Sequence, residues 1–371
     1  MRQTLARLEQ IYRGCALMIS CSLSAFLTGS FVAACFRFWA ARNNFLILYG
    51  SLHIHYFQDQ IRYAKEKSRD IKHMKMTVME TIAYRAIKAI FDTFALIPPT
   101  VGEKIALFVS KIWFAVDKRH RKVAIENITH AFGDRMTPRE INRMARKTFF
   151  YATNMLFETP RAYAWKSRDL SKHYTVTGLF HLLNAQMKGK GVLMFSGHVG
   201  NWEISVQLNN LSGQQVCGVY RKLDYAPAER YFHEKRESQG SRLYPLKGAV
   251  HWILHELGRG NCMAMLIDQN VKRHQGVFID FFGRKACANS GPAHLALMTG
   301  VPVIPYFFVR ENGKYSLEVL PEVPVVNTGD IEKDVLVNTQ NFNRVIENMI
   351  RRYPDQWCWF YNRWKTQPLP D

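Results

Sequence analysis

The sequence predicts an α/β domain with a largely parallel sheet flanked by helices, preceded by an N-terminal membrane-associated helical region. Three observations predict it. Short apolar runs alternate with amphipathic segments of helix length beyond residue 190, which is typical of a parallel sheet with helices on its faces. A long uncharged run lies near the N-terminus. The 371 residues, 47% hydrophobic and 22% charged, are enough for a large buried core.

The first 75 residues are predicted to form a separate extension with one transmembrane helix at about residues 14–36. These 23 residues carry no charge, and a helix of that length crosses a hydrocarbon core of about 30 Å. Three arginines precede the run and eight lysines and arginines follow it within residues 37–75, so the charge bias predicts that the C-terminal side is cytoplasmic. Two alternatives are a lipoprotein signal peptide, with its cleavage site at residues 32–35, and an atypical extension. The main domain is predicted at residues 76–371.

Residues 82–97 and 105–116 are apolar stretches interrupted by lysines and arginines, so they are poor spanning segments. Their pattern fits helices at a membrane interface or amphipathic helices packed on the domain. Thr137, Pro138 and Glu140 form a helix-start pattern, which predicts a helix over residues 138–157. Strands are predicted at residues 191–195, 216–220, 243–246, 262–267, 303–309 and 317–320. Helices are predicted at residues 201–211, 226–237, 249–257, 292–298 and 331–353.

The net charge of +20 and pI near 9.7 indicate an anionic partner. The basic residues are spread along the chain without a compact arm or a nucleic-acid motif, which argues against nucleic acid. The seven cysteines show no CxxC pair, so neither a zinc site nor a disulfide framework is expected, and a reducing compartment fits best. No metal or cofactor is expected.

One motif has the spacing of acid–base chemistry, His198 followed by Glu203, where an apolar strand is predicted to meet a helix. Gly197 and Gly200 let the backbone turn sharply there. A carboxylate folded back onto the imidazole would fix its tautomer and leave the other nitrogen to act as a base. The alternative is a structural histidine at a strand end.

The same spacing recurs at His251 and Glu256, which provides an internal control. On a helix these two side chains point about 140° apart. His251 and His255 share a face, yet without a third ligand nearby a solvated helix is the preferred interpretation.

The motif is one of six in a fixed order that resemble the lipid A biosynthesis lauroyl and myristoyl acyltransferases. The resemblance covers residues 84–365 and rests on HVGNWE at 198–203, VYR at 219–221, DQ at 268–269, FFG at 281–283, GPA at 291–293 and YPDQW at 353–357. It implies an enzyme at the cytoplasmic face of the inner membrane. Such an enzyme takes an acyl chain from acyl carrier protein and esterifies a lipid A precursor, so its partners would be these two molecules and inner membrane lipids.

The resemblance implies roles for individual residues. His198 would be the general base with Glu203 as its partner, and Arg236 would stabilise the oxyanion. Arg221 and the backbone amides near Gly200 and Asn201 are alternatives for the oxyanion. The expected substrate-binding residues are Arg221, Asn201, Asp268 and Gln269. Arg221 could instead bind phosphates or lie on a solvated surface, and Asp268 could position an acceptor or cap a turn.

No serine or cysteine lies beside His198 in the sequence, which favours direct transfer over a covalent intermediate. An acyltransferase for another glycolipid or glycerolipid, and a catalytically silent membrane scaffold, remain as alternatives. The tail tryptophans Trp357, Trp359 and Trp364 fit either an interfacial belt or the closure of a core.

Overall fold

The computed structural model describes residues 76–246, 248–311 and 313–369. The predicted transmembrane segment at 14–36 and the rest of the N-terminal extension lie outside these ranges. Within them, no helix combines the length and the apolarity needed to cross a bilayer.

Four helices open the described chain: α1 (Val78–Leu96), α2 (Pro99–Val116), α3 (Lys118–Phe132) and α4 (Pro138–Ala164). Thr77 and Thr137 begin α1 and α4 as capping boxes with Glu80 and Glu140, so two amides at the start of each helix have side-chain acceptors. The α4 helix runs seven residues beyond the predicted end at Phe157, because Pro160 is accommodated inside it and its apolar face stays buried.

Seven strands form one sheet: β1 (Tyr174–Thr177), β2 (Val192–Ser196), β3 (Val216–Tyr220), β4 (Arg242–Pro245), β5 (Cys262–Leu266), β8 (Val303–Glu311) and β9 (Lys314–Val319). Their order is β1-β9-β8-β2-β5-β3-β4, in which only the β8–β9 pair is antiparallel. The sheet confirms the predicted mixed α/β class with a mostly parallel sheet. A separate hairpin pairs β6 (Gly276–Phe281) with β7 (Arg284–Asn289).

The remaining α-helices flank the sheet or connect its strands. They are α5 (Leu170–His173), α6 (Leu179–Gln186), α7 (Leu208–Ser212), α8 (Ala226–Ser238), α9 (Ala249–Gly258), α10 (Gly291–Thr299) and α11 (Ile331–Arg352). The predicted helix at 201–211 is instead a 3₁₀ segment, Trp202–Gln207, followed by α7. Side chains three apart in a 3₁₀ helix share a side, so Trp202 with Ser205 and Glu203 with Val206 face the same cavity.

The hydrophobic core divides into two clusters, one on each face of the sheet. Leu193 and Phe195 belong to one cluster, and Met194 belongs to the other, as the alternation of a strand requires. Trp357, Trp359 and Trp364 are at most 5% exposed. The tail tryptophans therefore close the core, and the interfacial-belt alternative is wrong.

Candidate active site

The loop that carries His198 leaves the carboxyl end of β2 and turns at Gly200, whose φ is +68°. The amide of Gly200 donates to the carbonyl of Gln356, at 2.8 Å, and the amide of Asn201 donates to the carbonyl of Phe308, at 3.0 Å. Both amides thus donate to backbone carbonyls, which argues against the alternative that they bind the oxyanion.

Gly200→Ala is expected to disrupt this loop. A Cβ at this position would lie 1.9 Å from the carbonyl oxygen of Phe308, in addition to the left-handed φ that alanine adopts only at a cost of about 1–2 kcal/mol. Gly213 is a matched control, because its φ is +69° but a Cβ there meets nothing within 4 Å. Thermal unfolding should show a larger fall in Tm for Gly200→Ala than for Gly213→Ala. Equal falls would contradict the close approach to Phe308.

The carboxylate that holds His198 belongs to Asp268, which follows β5 at the same edge of the sheet. Oδ1 of Asp268 lies 2.7 Å from Nδ1 of His198, while Oδ2 accepts from the His198 amide and from the Trp357 indole, each at 2.7 Å. Burial acts to raise the pKa of Asp268, but the His198 ring and these hydrogen bonds outweigh it and lower the pKa below its ordinary value. An ionised Asp268 fixes the proton of the ring on Nδ1, so Nε2 carries the lone pair.

The predicted pairing of Glu203 with His198 is wrong. The carboxylate of Glu203 instead accepts from Nε of Arg236 at 2.6 Å, from Nη2 of Arg236 at 2.9 Å and from the Tyr163 hydroxyl at 2.7 Å. Burial opposes the charge of Arg236, but the adjacent Glu203 raises the pKa of this guanidinium above its ordinary value. The pairing fails because the turn at Gly200 sends the 3₁₀ segment toward α4 and α8, where Tyr163 and Arg236 lie.

The other predicted substrate-binding residues divide into two groups. Gln269 and Arg221 line the cavity beside His198. Nε2 of Gln269 lies 3.4 Å from Nε2 of His198, and Arg221 lies 3.6 Å from Asp224. Asn201 is buried and accepts from Thr159, and Asp268 lies behind the ring of His198. The expectation that Asp268 positions an acceptor or caps a turn is replaced by its contact with the imidazole.

A cavity of about 260 Å³ opens beside His198 and runs along one face of the sheet toward the amino end of β3. Its mouth is polar, with His198, Glu203, Arg221, Arg236 and Gln269. Its deeper wall is apolar and comes chiefly from β3, β4 and β5, including Val216, Gly218, Leu243 and Ala264. The arrangement suits a molecule with a long apolar part and a polar reacting end.

The cavity also touches Cys217, whose thiol is buried, and burial raises its pKa above the ordinary value. A thiol that stays protonated is a poor nucleophile. This observation agrees with the expectation of direct transfer.

The control pair behaves differently. Glu256 is buried and bonds to Tyr244, Asn261 and Arg242, while His251 lies on α9 with its ring edge-on to Trp252. The α9 helix buries Trp252 and Ile253 against the core, so it is a packed helix and not a solvated one. His251 and Glu256 do not form a dyad.

Sequence comparison identifies the family of the chain and several of its relatives. Residues 70–366 match the family of bacterial lipid A biosynthesis acyltransferases. A lipid A biosynthesis lauroyltransferase of Escherichia coli (strain K12) is 24% identical over 275 residues, which cover 73% of this chain and 88% of the relative. A lipid A biosynthesis acyltransferase of Haemophilus influenzae is 21% identical over 252 residues, 67% of this chain and 77% of the relative.

A phosphatidylinositol mannoside acyltransferase of Mycolicibacterium smegmatis is 27% identical over 198 residues, which cover 53% of this chain and 64% of the relative. The family match covers most of the chain and includes His198, Asp268, Glu203 and Arg236. The chain belongs to the bacterial lipid A biosynthesis acyltransferase family.

Proposed function

We propose that the protein transfers a fatty acyl chain from acyl carrier protein to a hydroxyl of a lipid A precursor, at the cytoplasmic face of the inner membrane. The observation that carries this proposal is the pair of His198 and Asp268 at the polar mouth of an apolar cavity, in a chain of the lipid A acyltransferase family. The net charge of +20 suits an acidic carrier and a phosphorylated acceptor.

In the proposed reaction, Nε2 of His198 takes the proton of the acceptor hydroxyl as the oxygen attacks the thioester carbonyl. The resulting tetrahedral intermediate collapses, the C–S bond breaks, and His198 returns the proton to the leaving thiolate. Asp268 orients the ring and stabilises its cation, as the carboxylate does in a catalytic triad. Gln269, 3.4 Å from Nε2 of His198, lies where the acceptor hydroxyl approaches.

Positive charge for the oxyanion comes from Arg236, which lines the cavity and is oriented by Glu203. The bidentate contact with Glu203 needs only two of the five N–H donors of the guanidinium, which leaves donors for the oxyanion. Glu203 is then a positioning residue for Arg236 and not for His198. Arg221, also at the mouth, is proposed to bind a phosphate of the donor or the acceptor.

Mass spectrometry of lipid A tests the proposal directly. Cells that lack the gene should produce lipid A short of one acyl chain, and the wild-type gene should restore that chain while His198→Ala should not. Restoration by His198→Ala would favour a catalytically silent scaffold. An unchanged lipid A profile in the deletion strain would exclude lipid A as the acceptor.

A different glycolipid acceptor is the second candidate, because phosphatidylinositol mannoside acyltransferases also match the chain, at 27% identity. The same base serves any alcohol. Purified protein assayed with one acyl donor against both classes of acceptor separates the two candidates.

Two faces near the N-terminal end of the described chain support attachment to an anionic bilayer. On α2, the apolar stripe recurs at helical spacing and is exposed, with Lys104 and Lys111 along one side of it. It comprises Val101, Ile105, Phe108, Val109, Ile112 and Val116. On α1, Val78, Met79 and Ile82 are also exposed. An exposed apolar face with lysines beside it is typical of a helix that lies in the membrane interface.

The α1 helix also contacts the helix that carries Arg236. Tyr84 donates to Glu234 at 2.5 Å, and Lys235 pairs with Asp92 at 3.1 Å. Docking of α1 and α2 on a bilayer would therefore keep the cavity mouth close to lipid acceptors.

Replacing two residues of the apolar stripe, in the variant Phe108→Glu/Ile112→Glu, is expected to weaken binding to phosphatidylglycerol vesicles by at least about tenfold, since each burial contributes about 1.5–3 kcal/mol. Both side chains are exposed, at 65% and 49%, so the fold should persist. Cosedimentation with vesicles measures binding. Met187→Glu is the control, because Met187 is 82% exposed but lies at the end of α6. Unchanged binding of the double variant would show that these helices are not the docking surface.

A further inference from the structure

Two small residues interrupt the apolar wall of the cavity. In register across the sheet, Leu243 of β4, Gly218 of β3, Ala264 of β5 and Met194 of β2 form one row. Register partners in a parallel sheet point to the same face. Two bulky side chains thus bracket two positions that carry no more than a methyl group, and we call Gly218 and Ala264 the notch.

The notch faces the cavity. Both residues line it, and both are partly exposed although they lie on central strands, whereas their neighbours Met194 and Cys262 are fully buried. The wall around the notch follows β3 from Val216 to Tyr220, a depth on the order of 13 Å at the rise of a strand. The notch lies midway along this path.

The backbone does not require glycine at position 218. Its φ is outside the left-handed region, and an added Cβ would meet only Cδ2 of Leu243, at 3.2 Å, and the Ala264 carbonyl oxygen, at 3.7 Å. Glycine inside a strand weakens it and often marks a place where a ligand approaches closely. The missing side chain therefore provides space and not a turn.

We infer that the Gly218–Ala264 notch keeps the apolar path open past its midpoint, so that the protein accepts acyl chains longer than the outer half of the path, an inference that rests on the proposed function. Saturated alkyl chains pass the notch because neither residue obstructs the path, and a larger side chain there shortens the path. In an apolar pocket, each methylene that does not fit changes the specificity constant by about tenfold or more.

The test compares the full-length wild type with Ala264→Leu and Gly218→Ala, using octanoyl, lauroyl, palmitoyl and stearoyl thioesters of acyl carrier protein. Ala264→Leu should lower the ratio of kcat/KM for lauroyl over octanoyl by at least about tenfold, because a lauroyl chain must extend well past the notch and an octanoyl chain ends close to it. Gly218→Ala, which adds one methyl group beside a movable leucine, should lower it less. Ala164→Leu is the matched control, because Ala164 is exposed at the end of α4, and its ratio should equal that of the wild type.

Calorimetric binding of laurate and octanoate is the second readout, which separates this inference from the proposed function. If the wild type transfers no acyl group from any donor but Ala264→Leu weakens laurate binding relative to octanoate binding, the inference about the notch is supported and the proposed function is contradicted. An Ala264→Leu variant that is folded and changes all donors by one factor overturns the notch. Failure of the wild type to bind either fatty acid overturns it as well.

Discussion

Replacement of His198 by alanine is expected to abolish acyl transfer, and Asp268→Asn is expected to lower kcat by roughly 10³- to 10⁴-fold with the fold preserved. The alanine variant removes the base itself. The asparagine variant keeps the shape, but its amide no longer fixes the proton on Nδ1 of His198, so the ring loses the tautomer that accepts a proton at Nε2. In the wild type, the Asp268 carboxylate lies 2.7 Å from Nδ1 of His198. Against the effect of burial, the ring and the other donors lower the pKa of this carboxylate, and neither variant retains such a charged contact.

Three further measurements make this prediction specific. Asp268→Glu restores a carboxylate and should recover part of the rate, which a purely structural role would not require. The pH dependence of kcat/KM should change in Asp268→Asn, because the base loses the negatively charged partner at its Nδ1. His251→Ala is the matched control, since His251 has the same sequence spacing to a glutamate but lies outside the cavity lining. A folded Asp268→Asn variant with the wild-type rate would contradict the assignment.

Most elements of the fold could be predicted from local patterns of apolar and polar residues. The six predicted strands all form, because each is an apolar run bounded by polar or glycine residues. The sequence does not predict β1, Tyr174–Thr177, because the strand has only four residues, two of them threonines, and it pairs with one neighbour at the sheet edge. The β6–β7 hairpin was missed because it packs on α11 and not in the main sheet.

The histidine of the site was predictable, but its partner was not. Spacing along the chain pointed to Glu203, five residues away, whereas the contact with Asp268 joins residues 70 apart in sequence. One signal was available: Asp268 ends an apolar strand, and adjacent parallel strands bring their carboxyl ends together. Asp268 reaches His198 because β2 lies beside β5 in the sheet. The order of strands depends on the whole sheet, so local sequence patterns do not predict this contact.

The second large effect is expected at the partly buried pair of Glu203 and Arg236. Their side chains are 18% and 17% exposed and joined by two hydrogen bonds. Removing one charge leaves the other without its partner in a poorly solvated place, which costs up to about 3–5 kcal/mol of stability, the range for a fully buried pair. Glu203→Gln and Arg236→Met should each lower Tm, and the double variant should be more stable than the sum of the two losses predicts, as a double-mutant cycle would measure.

The same two variants separate the catalytic roles. If Arg236 stabilises the oxyanion, Arg236→Met lowers kcat and kcat/KM together by about 2.7–4 kcal/mol, the range for the loss of an oxyanion donor. Arg221→Ala, by contrast, should chiefly raise KM and make it more sensitive to salt, because a phosphate contact at the mouth is partly screened. Glu203→Gln should act through Arg236, so its loss of rate should not add to that of Arg236→Met. A Glu203→Gln variant that changes the pH profile as Asp268→Asn does would instead link Glu203 to His198, against the contacts of its carboxylate with Arg236 and Tyr163.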